Sequence, residues 1–283
     1  MELRRKGDTE ILRVHHEDGV PFLTFPMLEK SDTVIHGIST RLGGVSRAHL
    51  SSMNLGFGRG DEENNVKENF QRIAASVGFS VENLVLSQQT HTTNVHVVKE
   101  EDRGRGFTRP LEWKDVDGLV TNVPGLVLTT FYADCVPLFF VDPVRKVIGL
   151  SHSGWRGTVG KIGKVTVDTM KREYGSRPED ILASVGPSIC QECYEVSEDV
   201  ITEFREQFEE RFWKLLFWKK KNGKYQLNLW KANELVFLES GILPEHISIT
   251  DLCTCCNPEL LFSHRASNGL RGNLAAFLSL KEE

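Results

Sequence analysis

The first part of the chain alternates short apolar runs with turn-forming residues, which is typical of β-strands. Two such runs, residues 10–15 and 21–25, flank an Asp18-Gly19 pair. Asp-Gly between alternating runs is a hairpin signal. A third apolar run, residues 34–39, leads toward the Gly43-Gly44 pair and places Arg41 at the mouth of a glycine loop. The chain is therefore predicted to start in a β-sheet.

Farther along, apolar residues recur every three or four positions, which is the period of an amphipathic helix. This pattern predicts helices over residues 62–77, 158–174, 198–217 and 228–240. Gly175 and Gly241 are expected to end two of these helices. Residues 247–252 are predicted as a strand, and residues 270–280 as a weak helix or a mixed tail.

Two apolar runs in the middle of the chain predict a second hairpin. One run begins directly after Cys135, the other covers residues 147–150, and an Asp142-Pro143 turn lies between them. His152 follows the second run. A hairpin would bring Cys135 and His152 together although they are 17 positions apart (152 minus 135).

His91 lies where another apolar run gives way to small polar residues, at the expected edge of a strand. One cysteine and two histidines are good ligands for Zn²⁺ or for a copper ion, and three protein ligands leave a fourth position for water or substrate. The alternative is that Cys135 packs as a small apolar side chain while both histidines form hydrogen bonds near a loop. The residue pattern alone favours this alternative.

Two other arrangements of cysteine are open. Cys135 paired with His91 or His152 would suit a Cys-His hydrolase, with Asp134 orienting an imidazole, but no oxyanion hole is visible in the sequence. Two C-x-x-C pairs could form a tetrathiolate zinc site, but they are 60 positions apart (253 minus 193), more than in a usual zinc ribbon. We therefore favour buried thiols packed near the active site for the pairs Cys190/Cys193 and Cys253/Cys256.

The overall composition fits one folded α/β domain with mixed sheets over residues 1–283. Apolar residues make up 40% of the chain and charged residues 26%, which is sufficient for a sizeable core. A net charge of −5 argues against nucleic acid as a partner, and no apolar run is long enough for a bilayer. We expect a cytoplasmic protein without structural disulfides. The Gly43-Gly44 loop matches neither a P-loop nor a dinucleotide fingerprint.

Seven short motifs together resemble the YfiH/YlmD laccase-domain family, and the resemblance extends from about Ile35 to Arg265. The motifs occupy residues 40–46, 52–56, 89–91, 133–137, 152–158, 186–189 and 251–254. Their occurrence in order is more specific than any one of them. The resemblance implies two mixed sheets packed together with helices outside. It also implies a catalytic zinc held by His91, Cys135 and His152.

The resemblance implies one of two activities. One is zinc-dependent purine nucleoside phosphorolysis, which converts adenosine, inosine or methylthioadenosine to the free base and ribose 1-phosphate, together with adenosine deamination. The other is copper-dependent oxidation of polyphenols. A multicopper oxidase needs many histidines, often as His-x-His, and none of the nine histidines here forms such a pair. We therefore expect a nucleoside phosphorylase that binds small nucleosides and phosphate.

The substrate contacts are expected at five residues. Arg41 and Arg156 are the phosphate candidates because of their charge and position, and Asn54, Gln89 and Asp134 are the other candidates. Residues 263–273 depart from the family pattern. Ala266 replaces the second arginine and the glycine-arginine order is inverted, so no functional role is transferred to that tail, although Arg265 stays aligned.

Overall fold

The structure is a computed structural model that describes residues 3–7, 9–16 and 19–282. The described chain forms two six-stranded sheets and one three-stranded sheet. The strands are β1 Arg13–His15, β2 Phe22–Thr24, β3 Val34–Ser39, β4 Leu84–Leu86, β5 Val95–Val97, β6 Gly118–Thr121, β7 Val127–Tyr132, β8 Val136–Asp142, β9 Val147–Ser153, β10 Leu182–Val185, β11 Glu195–Val196, β12 Phe217–Lys219, β13 Tyr225–Leu227, β14 Ile247–Ile249 and β15 Leu274–Leu280. The α-helices are α1 Pro26–Lys30, α2 Glu63–Val77, α3 Trp155–Val159, α4 Ile162–Tyr174, α5 Glu198–Gln207, α6 Trp213–Leu216 and α7 Leu229–Glu239.

Both large sheets are mixed. The first has the order β1-β2-β3-β15-β7-β4, and β4 alone among its described strands pairs parallel with its neighbour. The second has the order β14-β10-β8-β9-β6-β5, with parallel pairs at both edges and antiparallel pairs between them. The small sheet, β11-β13-β12, is antiparallel. The sequence did not predict this small sheet.

The two large sheets pack face to face, and helices cover their outer faces. Leu128 and Ala276 of the first sheet share a buried cluster with Phe139 and Ile148 of the second. On the other face of the first sheet, Phe70 of α2 belongs to a separate buried cluster. Helices α4 and α7 pack on the second sheet, and α5 packs against α3 and β13 in the same buried cluster. The predicted α/β fold with two packed mixed sheets and flanking helices is confirmed.

The C-terminal prediction was wrong. Residues 274–280 form β15, a central strand between β3 and β7, rather than a helix or a tail. Ala276 packs in the core between the sheets while Phe277 packs beneath α2, so both faces of the strand are buried. A strand buried on both faces has no polar alternation, and its alanines and leucines resemble a helix.

The predicted helix over residues 198–217 is also wrong in its second half. Helix α5 ends at Gln207 because Phe208 is extended, with φ −122° and ψ 135°. A short 3₁₀ turn, Glu210–Phe212, and α6 follow before the chain enters β12. Leu216 is buried whereas Leu215, which one continuous helix would place on its apolar face, is 50% exposed. The apolar residues of this segment therefore pack into the core from several short elements rather than from one face of a single helix.

Other boundaries differ less. The helix predicted over residues 158–174 is two helices, α3 and α4, because Lys161 between them has a φ of +56°. Helices α2 and α7 match their predictions, and Asn228 caps α7 by accepting a hydrogen bond from the amide of Lys231. Strand β14 is shorter than predicted. No helix in the described part of the chain is long and apolar enough to cross a membrane.

Both predicted hairpins have the expected strand pairs. Strands β1 and β2 are antiparallel, while Asp18 of the predicted turn lies outside the described residues. Strands β8 and β9 are antiparallel, with Pro137 opposite His152. The carboxylate of Asp142 accepts hydrogen bonds from the amides of Val144 and Arg145 and so forms the turn. This hairpin positions the candidate site.

Candidate active site

The β8–β9 hairpin brings together the three side chains that the sequence singled out. Cys135 directly precedes β8, His152 lies near the end of β9, and His91 reaches them from the loop after β4. The Sγ atom of Cys135 is 3.9 Å from Nε2 of His91. One ligand atom from each of the three residues lies within 4.8 Å of the other two. The predicted convergence of Cys135 and His152 is therefore present, and His91 joins them.

This spacing suits a tetrahedral metal ion. Zinc bonds of about 2.0–2.1 Å to nitrogen and about 2.3 Å to sulfur require a nitrogen-to-sulfur distance of roughly 3.6 Å. The distance of 3.9 Å between Cys135 and His91 is close to that value. His152 is buried, Cys135 is half-buried and His91 is exposed, so one side of the trio faces solvent. The residues present could hold a metal ion that keeps one open position.

Asp117 organises both histidines, and sequence reasoning missed it. Its carboxylate is fully buried and lies 2.8 Å from Nδ1 of His152. It also accepts hydrogen bonds from the backbone amides of Thr90, His91 and Thr92. An ionised carboxylate only accepts, so Nδ1 of His152 is the donor and Nε2 is the ring nitrogen that would bind a metal. Asp117 thereby fixes the tautomer of one candidate ligand and the backbone of the other.

The backbone around the trio is held in unusual conformations. His91 has a φ of +68° and Asp134, next to Cys135, has a φ of +85°. Such angles are uncommon outside glycine and are found where the surrounding structure imposes them. The trio lies so close to the backbone of residue 154 that only glycine fits there. A Cβ would lie 2.8 Å from Cδ2 of His91 and 3.2 Å from Sγ of Cys135. A side chain at residue 154 would therefore collide with His91 and Cys135, which explains the glycine at this position.

The electrostatics favour the ligand form of the cysteine. Burial raises the pKa of Cys135, but the neighbouring His152 and His91 outweigh burial and lower it to about 6. Burial lowers the pKa of His152, but Cys135 and Asp117 outweigh burial and raise it to about 9. The hydrogen bond from His152 lowers the pKa of Asp117 against the opposing effect of its burial. Cys135 is therefore predisposed to the thiolate, the form that binds metals.

Two cavities meet at the trio. The first, of about 470 Å³, has apolar walls that include Phe57 and Phe131. The second, of about 290 Å³, includes Trp155 and Tyr194. Four residues line both cavities: His91, Ala133, Cys135 and Arg271. Concave, largely apolar sites of this size with a few polar groups are typical of small-molecule binding.

Three of the five predicted substrate residues line these cavities. Gln89 lines the first cavity, and its amide group exchanges two hydrogen bonds with the backbone of Phe131. Asp134 and Arg156 line the second cavity. The carboxylate of Asp134 accepts hydrogen bonds from the hydroxyl of Thr254 and the amide of Arg265. The guanidinium of Arg156 lies over the ring of Trp155, 4.2 Å from its centroid.

The other two predicted residues line neither cavity. The guanidinium of Arg41 donates hydrogen bonds to the carbonyls of Ser51 and Pro258. Asn54 is fully buried and accepts hydrogen bonds from the amides of Gly56 and Asn273. Because Gly56 and Asn273 line the first cavity, Asn54 supports its wall from behind.

Arg271 is the second residue that sequence reasoning missed. It lies in the divergent tail to which no role was assigned, yet it lines both cavities. Its Nε is buried and has no hydrogen-bond partner among the described residues. Burial lowers the pKa of Arg271 to about 10, with a further contribution from Arg59. The side chain is therefore a cation at neutral pH, whose Nη1 donates to the carbonyl of Gly272 and to Oδ1 of Asn273 while Nε has no partner among the described residues.

The match to known proteins covers most of the chain. A family model described as multi-copper polyphenol oxidoreductase laccase matches residues 35–281. The chain belongs to this laccase-like family. Within the family, it is similar to a Bacillus subtilis protein named purine nucleoside phosphorylase YlmD, with 36% identity over 255 residues, 90% of this chain and 91% of the relative. The resemblance to YfiH and YlmD is confirmed.

Other laccase-like relatives extend the comparison. A protein named adenosine deaminase RL5, from an unknown prokaryotic organism, is 33% identical over 238 residues, 83% of this chain and 90% of the relative. The crystal structure of YlmD from Geobacillus stearothermophilus has a TM-score of 0.89 and 32% identity, and the match covers 97% of this chain and 100% of that one. The relatives' names support an enzyme related to the purine nucleoside phosphorylases.

Proposed function

We propose that this protein is a zinc-dependent purine nucleoside phosphorylase with adenosine deaminase activity. Its substrates would be adenosine, inosine and methylthioadenosine, and phosphorolysis would yield the free base and ribose 1-phosphate. The observation that carries the proposal is the position of His91, Cys135 and His152 at the junction of two cavities that share Arg271. Candidate metal ligands and a phosphate-binding cation thus adjoin the same space.

These ligands suit a zinc ion better than they suit the copper centres of an oxidase. One cysteine and two histidines also occur in blue-copper sites, but those sites add a weak axial ligand, commonly methionine. No methionine is among the described residues that line the two cavities. Among the described residues, one group of candidate ligands contains histidine, whereas a multicopper oxidase needs further histidines for its trinuclear cluster. When bound, zinc would supply a Lewis acid at the junction.

The protein's own residues would bind and orient both substrates. The aromatic walls of the first cavity, Phe57 and Phe131, would stack on the purine, since aromatic side chains stabilise bases sequence-independently. Arg271 would donate hydrogen bonds to phosphate and hold it toward C1′ of the ribose. In phosphorolysis a bond forms between C1′ and a phosphate oxygen while the bond from C1′ to the base nitrogen breaks. Positioning of this kind lowers the barrier to a reaction between two substrates.

The phosphate role moves from Arg41 to Arg271 in this proposal. The guanidinium of Arg41 is already engaged by the carbonyls of Ser51 and Pro258, which gives it a structural role. Arg156 lines the second cavity and stays a candidate for a contact with the substrate. It is exposed, so its contribution should be smaller than that of the half-buried Arg271.

Replacing Asp117 with asparagine should weaken zinc binding by roughly 10- to 100-fold, the usual effect of losing a partner of a ligating histidine. Asparagine cannot accept at every oxygen position that the carboxylate offers, so the Nδ1 of His152 and the amides of the His91 loop lose acceptors. Competition with a chromophoric zinc chelator would measure the affinity.

Asp115→Asn is the matched control for that experiment. Asp115 lies two residues away and accepts a hydrogen bond from the hydroxyl of Thr90, but it does not contact His152. Its replacement should leave the zinc affinity unchanged. An Asp117→Asn variant that binds zinc as tightly as the unaltered protein would contradict the positioning role of Asp117.

The function itself is tested by incubating zinc-loaded, copper-free protein with adenosine or inosine, with and without phosphate, under air and under argon. Chromatography would resolve free base, ribose 1-phosphate and inosine. We expect base release that needs phosphate and is independent of oxygen, and conversion of adenosine to inosine without phosphate. Absence of these products, together with oxygen consumption that scales with copper content, would overturn the proposal in favour of polyphenol oxidation.

A further inference from the structure

A second group of potential metal ligands lies apart from the histidine-containing trio. The Sγ atoms of four cysteines lie within 4.8 Å of one another: Cys190, Cys193, Cys253 and Cys256. Cys190 and Cys253 are buried, and the other two are half-buried. All six cysteines of the chain are free thiols in the structure. The sequence analysis considered this group of four as a zinc site but disfavoured it, because the two C-x-x-C pairs are 60 positions apart (253 minus 193).

The sheet explains why the distant pairs meet. Strands β10 and β14 are parallel neighbours, so the loops that follow them leave the same edge of the second sheet. Ser188 and Cys253 continue this pairing as an isolated parallel bridge. The Cys190/Cys193 turn and the Cys253/Cys256 turn therefore face each other directly. Sequence separation carries no information about this contact, because parallel strands need a long connection.

The distances suit a tetrathiolate zinc ion better than a disulfide. Zinc–sulfur bonds of about 2.3 Å place the sulfurs of a tetrahedral site roughly 3.8 Å apart. Sγ of Cys256 is 3.9 Å from Sγ of Cys190 and 3.5 Å from Sγ of Cys193. A disulfide needs about 2.05 Å. All four sulfurs lie within 4.8 Å of one another, which fits four ligands around one ion.

Backbone amides already point at one of these sulfurs. The amide of Cys190 lies 3.2 Å from Sγ of Cys253, and the amide of Cys256 lies 3.4 Å from the same atom. Amide donors directed at a sulfur stabilise the thiolate and orient it, as partners of metal ligands commonly do. One of these two amides belongs to each C-x-x-C turn. The cluster therefore has ligands and supporting donors in place.

We propose that Cys190, Cys193, Cys253 and Cys256 bind one Zn²⁺ ion as a structural tetrathiolate site, separate from the trio at the cavities. This inference does not depend on the proposed enzyme activity. Four sulfur ligands close the coordination sphere, which is typical of a structural rather than a catalytic zinc. The ion would fasten together two turns that extend from the same sheet edge.

The same turns support the cavity wall behind Cys135. The amide of Ile189 donates to the carbonyl of Asp134, and the hydroxyl of Thr254 donates to its carboxylate. Arg265 donates from its guanidinium to the carbonyl of Cys193. The proposed zinc would therefore stabilise the residue that precedes Cys135 and the Ile189 side of the second cavity.

Metal counting on the full-length protein tests the site without any assay of activity. Protein purified under reducing conditions from zinc-supplemented cells should contain two zinc ions per chain, one for each group of ligands. Cys135→Ala should retain one, and the double variant Cys190→Ser/Cys256→Ser should also retain one. Cys255→Ser is the matched control, because Cys255 adjoins Cys256 but lies outside the group of four, and it should retain both.

Cobalt substitution of the unaltered protein keeps the test independent of how the double variant folds. Sulfur-to-cobalt charge-transfer absorption grows with the number of thiolate ligands, so Cys135→Ala should retain most of it. Cys256→His should retain the metal with weaker absorption. A single zinc per chain that Cys135→Ala removes completely would overturn the proposal, and so would iron in place of zinc at the four cysteines.

Discussion

Cys135→Ala should abolish both phosphorolysis and deamination and should remove the metal from the site at the cavity junction. The thiolate is one of three candidate ligands, and the two histidines that remain are too few to hold the ion tightly. A metal ion supplies several kcal/mol of transition-state stabilisation, which corresponds to a rate loss of at least about a thousandfold. Turnover of adenosine and inosine, measured together with zinc content, would check this expectation.

The metal content separates the ligand role of Cys135 from a role as nucleophile. A Cys-His hydrolase would lose activity on the same substitution without losing zinc. Cys255→Ala is the control, since Cys255 is a half-buried free thiol outside both groups of candidate ligands. Unchanged turnover in Cys135→Ala would remove the cysteine from the active site altogether. Unchanged zinc with lost turnover would favour the nucleophile.

The sequence predicted that two of the candidate metal ligands converge, for a reason that holds in the structure. Two apolar runs around an Asp-Pro turn implied a hairpin, and the hairpin alone places Cys135 near His152. His91 was different, because it arrives on the loop after β4 and its 44-residue separation from Cys135 (135 minus 91) gave no local signal. It was singled out by its place at a predicted strand edge and by its ligand chemistry, and the family resemblance implied the same residue. The order of apolar runs and turn residues predicts contacts within a hairpin, but it does not predict contacts between loops that follow different strands.

Asp117 and Arg271 were missed for physical reasons. Asp117 precedes Gly118, and an Asp-Gly pair indicates an exposed turn, whereas the structure buries this carboxylate beneath two histidines. Arg271 lies at the start of residues 270–280, which the sequence pattern predicts as a weak helix or a mixed tail. Because β15 is a central strand, it carries Arg271 into the junction of the cavities. An error about one strand therefore concealed the residue now proposed to bind phosphate.

Arg271→Ala should raise the KM for phosphate and lower kcat/KM for phosphorolysis roughly 100-fold. A hydrogen bond to a charged group contributes about 1.5–3 kcal/mol, and each 1.4 kcal/mol is about tenfold. Arg271→Lys should recover part of the loss, because an ammonium keeps the charge but not the planar pair of donors. Initial rates over a phosphate series at fixed inosine would give both constants.

Deamination supplies an internal control for Arg271, because that reaction consumes no phosphate. The Arg271→Ala variant should keep most of its conversion of adenosine to inosine, which would show that its fold and metal site are intact. Arg41→Ala is the matched arginine control and should leave the KM for phosphate unchanged, since its donors are occupied by the carbonyls of Ser51 and Pro258. A larger phosphate effect in Arg41→Ala than in Arg271→Ala would restore the assignment that the sequence first suggested. Comparison of the two variants therefore shows whether phosphate is bound by Arg271 at the wall shared by the cavities or by Arg41 at the glycine loop.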